Sequence, residues 1–543
     1  MSGAGLQADV TTVRSTVPIA SLSLDPAFTV GTVDRRLFGS FVEHMGRCVY
    51  TGVYEPGHPT ADTRGFRGDV LDLVRELGPT IVRYPGGNFV SGYRWEDGIG
   101  PVGERPRRVD LAWHSIEPNE VGVDEFVAWC RAADTEPMMA VNLGTRGVAE
   151  AVDLLEYCNH PGGTALSDLR RAHGSEQPHD IRVWCLGNEL DGWWQVGNKS
   201  PQEYGRLATT TAQAMRLVDP RIELVACGSS NTSMPGFAAW ESTVLEECYD
   251  LVDYVSLHNY YDPVGRSTAD HLASASDLDR AIEAVVATAD SVGARRKSSH
   301  RLQVSVDEWN VWYQSHFEAP PAWTEHPVLI EDTYNVADAV VVGSLLITLL
   351  RHADRVGIAC QAQLVNVIAP IRTQASGPAW RQTTFHPFAQ AARHARGRVL
   401  RVEPRAPSYE TDAYGDVPLV DATATHDEES GEVTLLVVSR CLDEPVDLQV
   451  DLRGFAGLRL VEATTLTDPD LGAVDTEHSE PVRPRANDRV RLLDGRLEVS
   501  LPPVSWNVVR LLASAEAGAS VGGRAATAAE GRSRDGACRD LVT

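Results

Sequence analysis

Residues 181–189 read IRVWCLGNE and residues 302–310 read LQVSVDEWN, and each is a β-rich apolar run with a glutamate in its last three residues. Near-continuous apolar runs are typical of parallel strands that are covered on both faces. Six further runs share this pattern, and amphipathic stretches such as 123–134 (VDEFVAWCRAAD) lie between them. The eight predicted strands are Leu37–His44, Thr80–Gly87, Glu136–Gly144, Ile181–Glu189, Ile222–Ser230, Val252–Tyr260, Leu302–Asn310 and Gly357–Val367.

Eight strands that alternate with helices predict a (β/α)8 TIM barrel, an α/β fold, over residues 37–396. The alternative is a doubly wound sheet. Such a sheet commonly carries a GxGxxG turn after its first strand, and none follows the first strand here.

The alternation of strand-like and helical runs ends after residue 396. Strand-like runs at 433–440, 446–452 and 458–466 follow one another without a helical pattern, and Asp494-Gly495 between 489–493 and 496–501 is a two-residue hairpin signal. Residues 397–513 are therefore expected to form an antiparallel, jelly-roll-like β-sandwich. The strand-like segment Ile19–Val33, within 19–36, is expected to join that sandwich, whereas residues 1–18 and the Gly/Ala-rich tail 514–543 are expected to be flexible and disordered.

Composition excludes several classes of function. The 543 residues include 49 Lys and Arg against 75 Asp and Glu, a net charge of −26, which disfavours nucleic acid and anionic membranes as partners. The apolar stretch Ala337–Leu350 is too short to span a bilayer. The nine cysteines form no CxxC pair and the first residues lack a signal-peptide core, so the expectation is a cytoplasmic protein with free thiols, no metal and no cofactor.

In barrel enzymes, the residues that do chemistry follow the carboxyl-terminal ends of strands. Glu189 and Glu308 lie at the carboxyl-terminal ends of the fourth and seventh predicted strands, and two converging carboxyl groups suit the hydrolysis of a glycosidic bond. Taken singly, Glu308 could form a structural salt bridge and His258 could be a core histidine. Several such residues at one end of the same barrel favour a shared site.

Seven motifs in order resemble the α-L-arabinofuranosidases of glycoside hydrolase family 51, within the larger clan A of barrel glycosidases. The resemblance covers about residues 20–512. The motifs read FGSFVEHMGR, RYPGGNFVSGYRWEDGIGP, LAWHSIEPNEVGVDEF, VNLGTRG, VWCLGNELDGWWQ, VDEWNVWY and AQLVNVIAPI.

The resemblance implies a role for each matching residue. Glu189 would be the general acid/base and Glu308 the nucleophile, with Arg83 pairing with the nucleophile to keep it ionised. Substrate-binding residues implied in the same way are Glu43, Asn88, Trp113, Asn188, His258, Tyr260 and Gln363. Gln361 is an alternative to Gln363, because both lie on the eighth predicted strand.

The implied reaction is the retaining, exo-acting release of terminal α-L-arabinofuranosyl residues from arabino-oligosaccharides, arabinan or arabinoxylan fragments. The family resemblance also implies a homo-oligomer, commonly a hexamer. β-Xylosidase and endoglucanase activities on the same scaffold remain alternatives, as does a catalytically silent sugar-binding barrel. A lyase or aldolase is disfavoured because no predicted strand ends in lysine. The family often has proline at the position of Trp193, so the leaving-group side of the site is expected to differ.

Overall fold

The computed structural model describes residues 17–513 and contains a closed barrel of eight parallel strands. The strands follow one another around the barrel in sequence order, and the eighth pairs with the first. This confirms the predicted (β/α)8 barrel. The barrel strands are Gly39–Phe41, Ile81–Tyr84, Glu136–Ala140, Val183–Cys185, Glu223–Ala226, Tyr254–Tyr261, Gln303–Val311 and Val356–Gln361.

Each barrel strand overlaps its predicted run, but most end earlier. The fourth strand stops at Cys185, because the backbone after it leaves the ladder. Gly187 and Glu189 have positive φ angles of 97° and 44°. This turn places the last residues of the predicted strand over the end of the barrel.

The helices begin and end at recognisable capping signals. Ser200 accepts a hydrogen bond from the backbone N–H of Glu203, and Pro201 occupies the first helical position. The α-helices are Gly68–Leu77, Val123–Ala133, Val148–Asn159, Ala165–Ala172, Pro201–Val218, Ala239–Cys248, Thr268–Leu272, Ala275–Arg296, Val336–Arg351 and Phe385–His394.

Helix Val336–Arg351 joins the two halves of the molecule. Every residue from 336 to 350 is buried, as its all-round apolar sequence predicts. One side of the helix packs on the barrel and another on a β-sheet of the second domain. At this contact Gly343 is required, because a Cβ there would lie 2.5 Å from the ring of Trp506.

The second domain is a sandwich of a seven-stranded and a four-stranded sheet. Residues Asp494 and Gly495 both have positive φ, as the predicted two-residue hairpin requires. In sheet order, the larger sheet contains Thr29–Thr32, Arg398–Leu400, Val420–Asp427, Glu432–Ser439, Ser505–Ala513, Leu458–Leu466 and Arg485–Ala486, and the smaller contains Ile19–Ser23, Val446–Asp451, Arg496–Leu501 and Val490–Leu493.

The N-terminal segment Ile19–Val33, expected to be strand-like and to join the sandwich, contributes to both of its sheets. It forms two strands in different sheets, separated by a turn in which the N–H of Phe28 donates to the carbonyl of Asp25. Pro26 has no N–H to donate to a strand ladder. Ile19–Ser23 pairs in parallel with Val446–Asp451, so the sandwich is antiparallel except at this pair.

A hairpin of the second domain, Ser408–Thr411 with Gly415–Pro418, reaches across to the barrel. The Tyr409 hydroxyl donates to the carbonyl of Ala269, and the N–H of Ala413 donates to Asp270 Oδ1. These contacts hold the hairpin against the short helix Thr268–Leu272, which lies in the segment after the sixth barrel strand.

Two expectations concern the ends of the chain. The expected flexible N-terminus 1–18 falls outside the described residues except for its last two positions, and the expected disordered tail 514–543 falls wholly outside. Within residues 17–513, each helix is too short or too polar to cross a membrane.

We predict that Trp506→Ala destabilises the protein by about 3–5 kcal/mol, because Trp506 is fully buried between the domains. Its indole N–H also donates to Gln390 Oε1 at 2.9 Å. The thermal unfolding midpoint should fall by several degrees. Trp193→Ala is the control, since that side chain is 82% exposed, and an equal loss in both variants would contradict this role for Trp506.

Candidate active site

A cavity of about 840 Å³ lies at the carboxyl-terminal ends of the barrel strands. Loops after most of the strands line it, and the tip of the second-domain hairpin contributes Ala413 and Tyr414. We call this space the barrel cavity. Seven of the ten predicted site residues line it: Glu43, Asn88, Trp113, Glu189, Tyr260, Glu308 and Gln363.

The other three predicted residues lie behind this lining and are almost fully buried. Arg83 and Asn188 are each 1% exposed and His258 is 2% exposed. All three contact lining residues, so the structure brings the ten predicted residues together around one cavity.

Glu308 is held through both of its carboxylate oxygens. Arg83 Nη1 donates to Oε1 at 2.7 Å, and the hydroxyl of Tyr260 donates to Oε2 at 2.7 Å. The two bonds together fix the plane of the carboxyl group. An ionised and oriented carboxylate is what a nucleophile at an anomeric carbon requires.

Glu189 is held differently. Its Oε1 lies 3.0 Å from His258 Nδ1, and its Oε2 accepts from the indole N–H of Trp194 at 3.0 Å. Burial raises the pKa of Glu189 above its usual value, and the nearby charge of Glu308 raises it further, although His258 and Trp194 oppose this. A carboxyl group that retains its proton in this way suits a general acid.

The two carboxyl groups lie close together. One oxygen of Glu189, one of Glu308 and a nitrogen of His258 all lie within 4.8 Å of one another. Retaining glycosidases have carboxyl groups about 5–5.5 Å apart, whereas inverting enzymes leave about 6.5–9.5 Å for a water molecule. The separation therefore favours the retaining arrangement.

His258 bridges Glu189 and Asp307. Its Nε2 lies 3.0 Å from Asp307 Oδ1, and Asp307 also lies 3.7 Å from Arg83 Nε. Burial lowers the pKa of His258, but the surrounding carboxylates of Glu308, Asp307 and Glu189 raise it to about 10. His258 is thus a cation at neutral pH and donates from both ring nitrogens.

Irregular pairing of the sixth and seventh strands determines where the side chains of Asp307 and Glu308 point. The pairing register shifts between Ser256 and His258 on the sixth strand and between Val306 and Trp309 on the seventh. Regular alternation would send Asp307 and Glu308 to opposite faces of the sheet. The shift lets both consecutive carboxylates reach Arg83.

Glu43 forms the opposite wall of the barrel cavity. It accepts from the Phe89 N–H at 2.9 Å, the Trp113 indole at 3.0 Å and the Gln363 amide at 3.3 Å. Burial raises the pKa of Glu43 to about 8. Gly87 permits this packing, because a Cβ there would lie 2.4 Å from Glu43 Oε2.

The structure distinguishes the two glutamines of the eighth predicted strand. Gln363 contacts Glu43 and lines the barrel cavity. Gln361 is fully buried, and its amide donates to Asn310 Oδ1 at 3.2 Å. Of these two glutamines, Gln363 is the one placed to meet a ligand.

Asn188 and Asn88 are joined to each other and, through Asn188, to Arg83. Asn188 accepts from Arg83 Nη2 at 2.6 Å, and its own amide donates to Asn88 Oδ1 at 3.4 Å. Asn88 lies directly on the cavity lining, where its polar atoms can bind a sugar hydroxyl.

Sequence reasoning missed Asp307 and Trp194. A charged residue inside an apolar run, immediately before Glu308, is the signal that could have identified Asp307. Trp194 follows Gly192, at which a Cβ would lie 2.5 Å from the Trp194 ring. This close approach depends on loop geometry, which the sequence does not reveal.

Glu189, His258 and Glu308 are also the set of side chains in the described residues that could surround a metal ion. A metal would need a lone pair on a ring nitrogen of His258. Both nitrogens instead face carboxylates, and the raised pKa keeps the ring protonated. The set is therefore better suited to acid–base chemistry than to metal binding.

Comparisons with known proteins agree with this geometry. Residues 73–279 match the family model "Alpha-L-arabinofuranosidase 1 domain", and residues 307–505 match "Alpha-L-arabinofuranosidase C-terminal domain". An intracellular exo-alpha-(1->5)-L-arabinofuranosidase of Streptomyces lividans is 58% identical over 497 residues, which are 90% of this chain and 75% of the relative. An exo-alpha-(1->6)-L-arabinofuranosidase of Bifidobacterium longum is 52% identical over 507 residues, 90% of this chain and 97% of the relative.

A solved structure gives the same picture. A family 51 α-L-arabinofuranosidase from Bifidobacterium longum superposes with a TM-score of 0.88 at 50% identity, covering 91% of this chain and 100% of the solved one. A barrel with two close carboxyl groups at its carboxyl-terminal end is the arrangement of a retaining glycoside hydrolase. The chain belongs to the α-L-arabinofuranosidases of glycoside hydrolase family 51.

We predict that His258→Gln moves the basic limb of the kcat/KM profile to higher pH. A general acid at Glu189 would act while protonated, so activity should fall as the pH rises through its pKa, and the charge of His258 lowers that pKa. His271→Gln is the matched control, since His271 is buried beside Asp338 in another part of the barrel. A basic limb that stays in place or moves to lower pH would refute the link between His258 and Glu189.

Proposed function

We propose that the protein is a retaining, exo-acting α-L-arabinofuranosidase in which Glu308 is the nucleophile and Glu189 is the general acid/base. The observation that carries the assignment is a pair of carboxyl groups with oxygens within 4.8 Å of each other. One group is held by an arginine, and the other is held by a histidine at one oxygen and a tryptophan at the other. Membership of the α-L-arabinofuranosidase family identifies the sugar that is released as L-arabinofuranose.

In the first step, a Glu308 oxygen attacks the anomeric carbon while Glu189 transfers its proton to the glycosidic oxygen. The bond to the leaving group breaks, and an ester forms between the sugar and Glu308. In the second step, Glu189 removes a proton from water, whose oxygen attacks the same carbon. The ester breaks, the sugar leaves with its original configuration, and both glutamates return to their starting forms.

The electrostatics support the change of role by Glu189. The negative charge of Glu308 is one cause of the raised pKa of Glu189. Ester formation removes that charge, so the pKa of Glu189 falls and the group becomes a base when a base is needed. His258, which remains a cation, stabilises the carboxylate that Glu189 becomes.

The exo mode is supported by the wall opposite Glu189. Trp113, Glu43 and Gln363 are joined by hydrogen bonds and close the cavity on that side. A terminal furanose fits against such a wall, whereas an internal sugar of a polymer needs a groove that is open at both ends. The relatives described above are also named exo enzymes.

We extend three further expectations to this chain. Its substrates are expected to be arabino-oligosaccharides, as part of arabinan catabolism, and the names of the two relatives show that linkage preference differs within the family. A cytoplasmic location is supported by the intracellular naming of the Streptomyces lividans relative. A hexamer stays a prediction, based on the family resemblance.

A panel of 4-nitrophenyl glycosides tests the activity. We expect the α-L-arabinofuranoside to be hydrolysed with a kcat/KM at least about tenfold above that of the β-D-xyloside and the β-D-glucoside, because one mismatched group in the sugar pocket costs about 1–3 kcal/mol. A preference for either other sugar would leave the two-carboxylate mechanism intact but overturn the arabinofuranosidase assignment.

Alanine substitution of Glu308 and of Glu189 should reduce activity in different ways. Glu308→Ala cannot form the ester, so activity should fall by about four orders of magnitude or more with every leaving group. Glu189→Ala should still react in its first step with a nitrophenyl substrate, because nitrophenolate leaves without a proton. The sugar should then accumulate on Glu308.

Azide separates the two roles by product. In Glu189→Ala, azide attacks the ester and should release the α-L-arabinofuranosyl azide, with retained configuration. In Glu308→Ala, azide attacks the substrate directly and should release the β anomer. NMR of the products identifies each anomer, and the reverse pattern would exchange the two roles.

A further inference from the structure

The leaving group must lie on one particular side of the barrel cavity. Glu189 delivers a proton to the glycosidic oxygen, so whatever follows that oxygen extends past Glu189. The elements on this side are the loops after the fourth, fifth and sixth barrel strands. They hold Trp193, the polar run Ser230–Ser233 and Arg266, all of which line the cavity.

These loops are tied together rather than independent. Asp191 accepts hydrogen bonds from both the N–H and the hydroxyl of Ser230, which joins the fourth loop to the fifth. The sixth loop is joined to the second domain by the Tyr409 and Ala413 contacts. The leaving-group side is therefore a wall of connected loops, and its middle part is the polar run Ser230–Ser233.

Trp193 is the most unusual residue on this wall. Its side chain is 82% exposed, yet it is a large apolar group that lines the cavity. Its ring lies edge-on to that of Trp194, with the centroids 5.7 Å apart, and Trp194 donates to Glu189. Trp194 is thus beside Glu189, and the ring of Trp193 lies next to that of Trp194, on the side that is open to solvent.

The hairpin tip brings a second aromatic residue to this cavity. Tyr414 receives a hydrogen bond from Arg266 at its hydroxyl at 2.6 Å and another from Arg280 at its carbonyl at 3.2 Å. These bonds fix the ring although the tip is part of another domain. With its oxygen already accepting from Arg266, the hydroxyl hydrogen of Tyr414 remains available for a ligand.

We infer that Trp193 and Tyr414 form a subsite for the second sugar of the leaving group. This inference rests on the proposed function, which places Glu189 as the acid/base. The occupant is an uncharged pentosyl residue of a linear arabinofuranosyl chain, bound against the apolar faces of the two rings and by the hydroxyls of Thr232 and Ser233. A cavity of about 840 Å³ has room for more than the terminal sugar and its neighbour.

The test compares linear α-1,5-linked arabinofuranosyl trisaccharide with the corresponding disaccharide, because only the trisaccharide reaches the second leaving-group position. We expect the wild type to have the higher kcat/KM on the trisaccharide. Trp193→Ala and Tyr414→Ala should each reduce the trisaccharide-to-disaccharide ratio roughly three- to tenfold, and the double variant should bring it near one. Tyr414→Phe should keep most of the ratio.

Phe28→Ala is the control, because Phe28 is an aromatic residue with 63% exposure in the turn between the first two strands of the second domain, outside the cavity lining. A wild-type ratio of one, an unchanged ratio in the variants, or an equal loss on both substrates would overturn the subsite. If the enzyme instead preferred xylosides, the proposed function would fail, and the xylosyl trisaccharide and disaccharide would test the same subsite.

Discussion

Five charged or ionisable side chains share the buried end of the barrel: Arg83, Glu189, His258, Asp307 and Glu308. Buried charges are tolerated only when they are paired, and here the pairing is nearly complete. With Glu189 protonated, two cations face two carboxylates, and the cluster has no net charge. Because the partners come from the second, fourth, sixth and seventh strands, the barrel must close for the charges to balance.

The same cluster explains how the cavity is divided. Glu43, Trp113 and Gln363 form one side, and each bonds to another member of that side. Trp193, Trp194 and the loop tied by Asp191 form the other side. The charged cluster lies between them, so the proposed mechanism would cleave the bond at the boundary between a closed pocket and a longer wall. The second domain contributes directly to that wall through its hairpin.

The sequence predicted the barrel because eight apolar runs with strand propensity carry the signal independently of one another. Long motifs can be matched one residue at a time, so the sequence also led to ten candidate site residues, which the structure places around one cavity. The sequence could not predict the role of Asp307, which depends on a shift in strand register, or of Trp194, which depends on a loop folding back over Gly192. The parallel pairing of Ile19–Ser23 was equally hidden, since its partner strand, Val446–Asp451, lies in the distant second domain.

Three glutamates at one site have different tasks, and their neighbours determine which is which. Glu308 is the one that pairs with an arginine, so its negative charge is available for attack on carbon. Glu189 meets a histidine and an indole, and burial keeps its pKa raised, so it holds a proton that it can release. Glu43 meets only neutral donors, and burial raises its pKa to about 8, which leaves it neutral at physiological pH and able to donate to a sugar hydroxyl as well as accept from one. The partners and the burial of each carboxyl group, rather than the residue type, therefore set its chemistry.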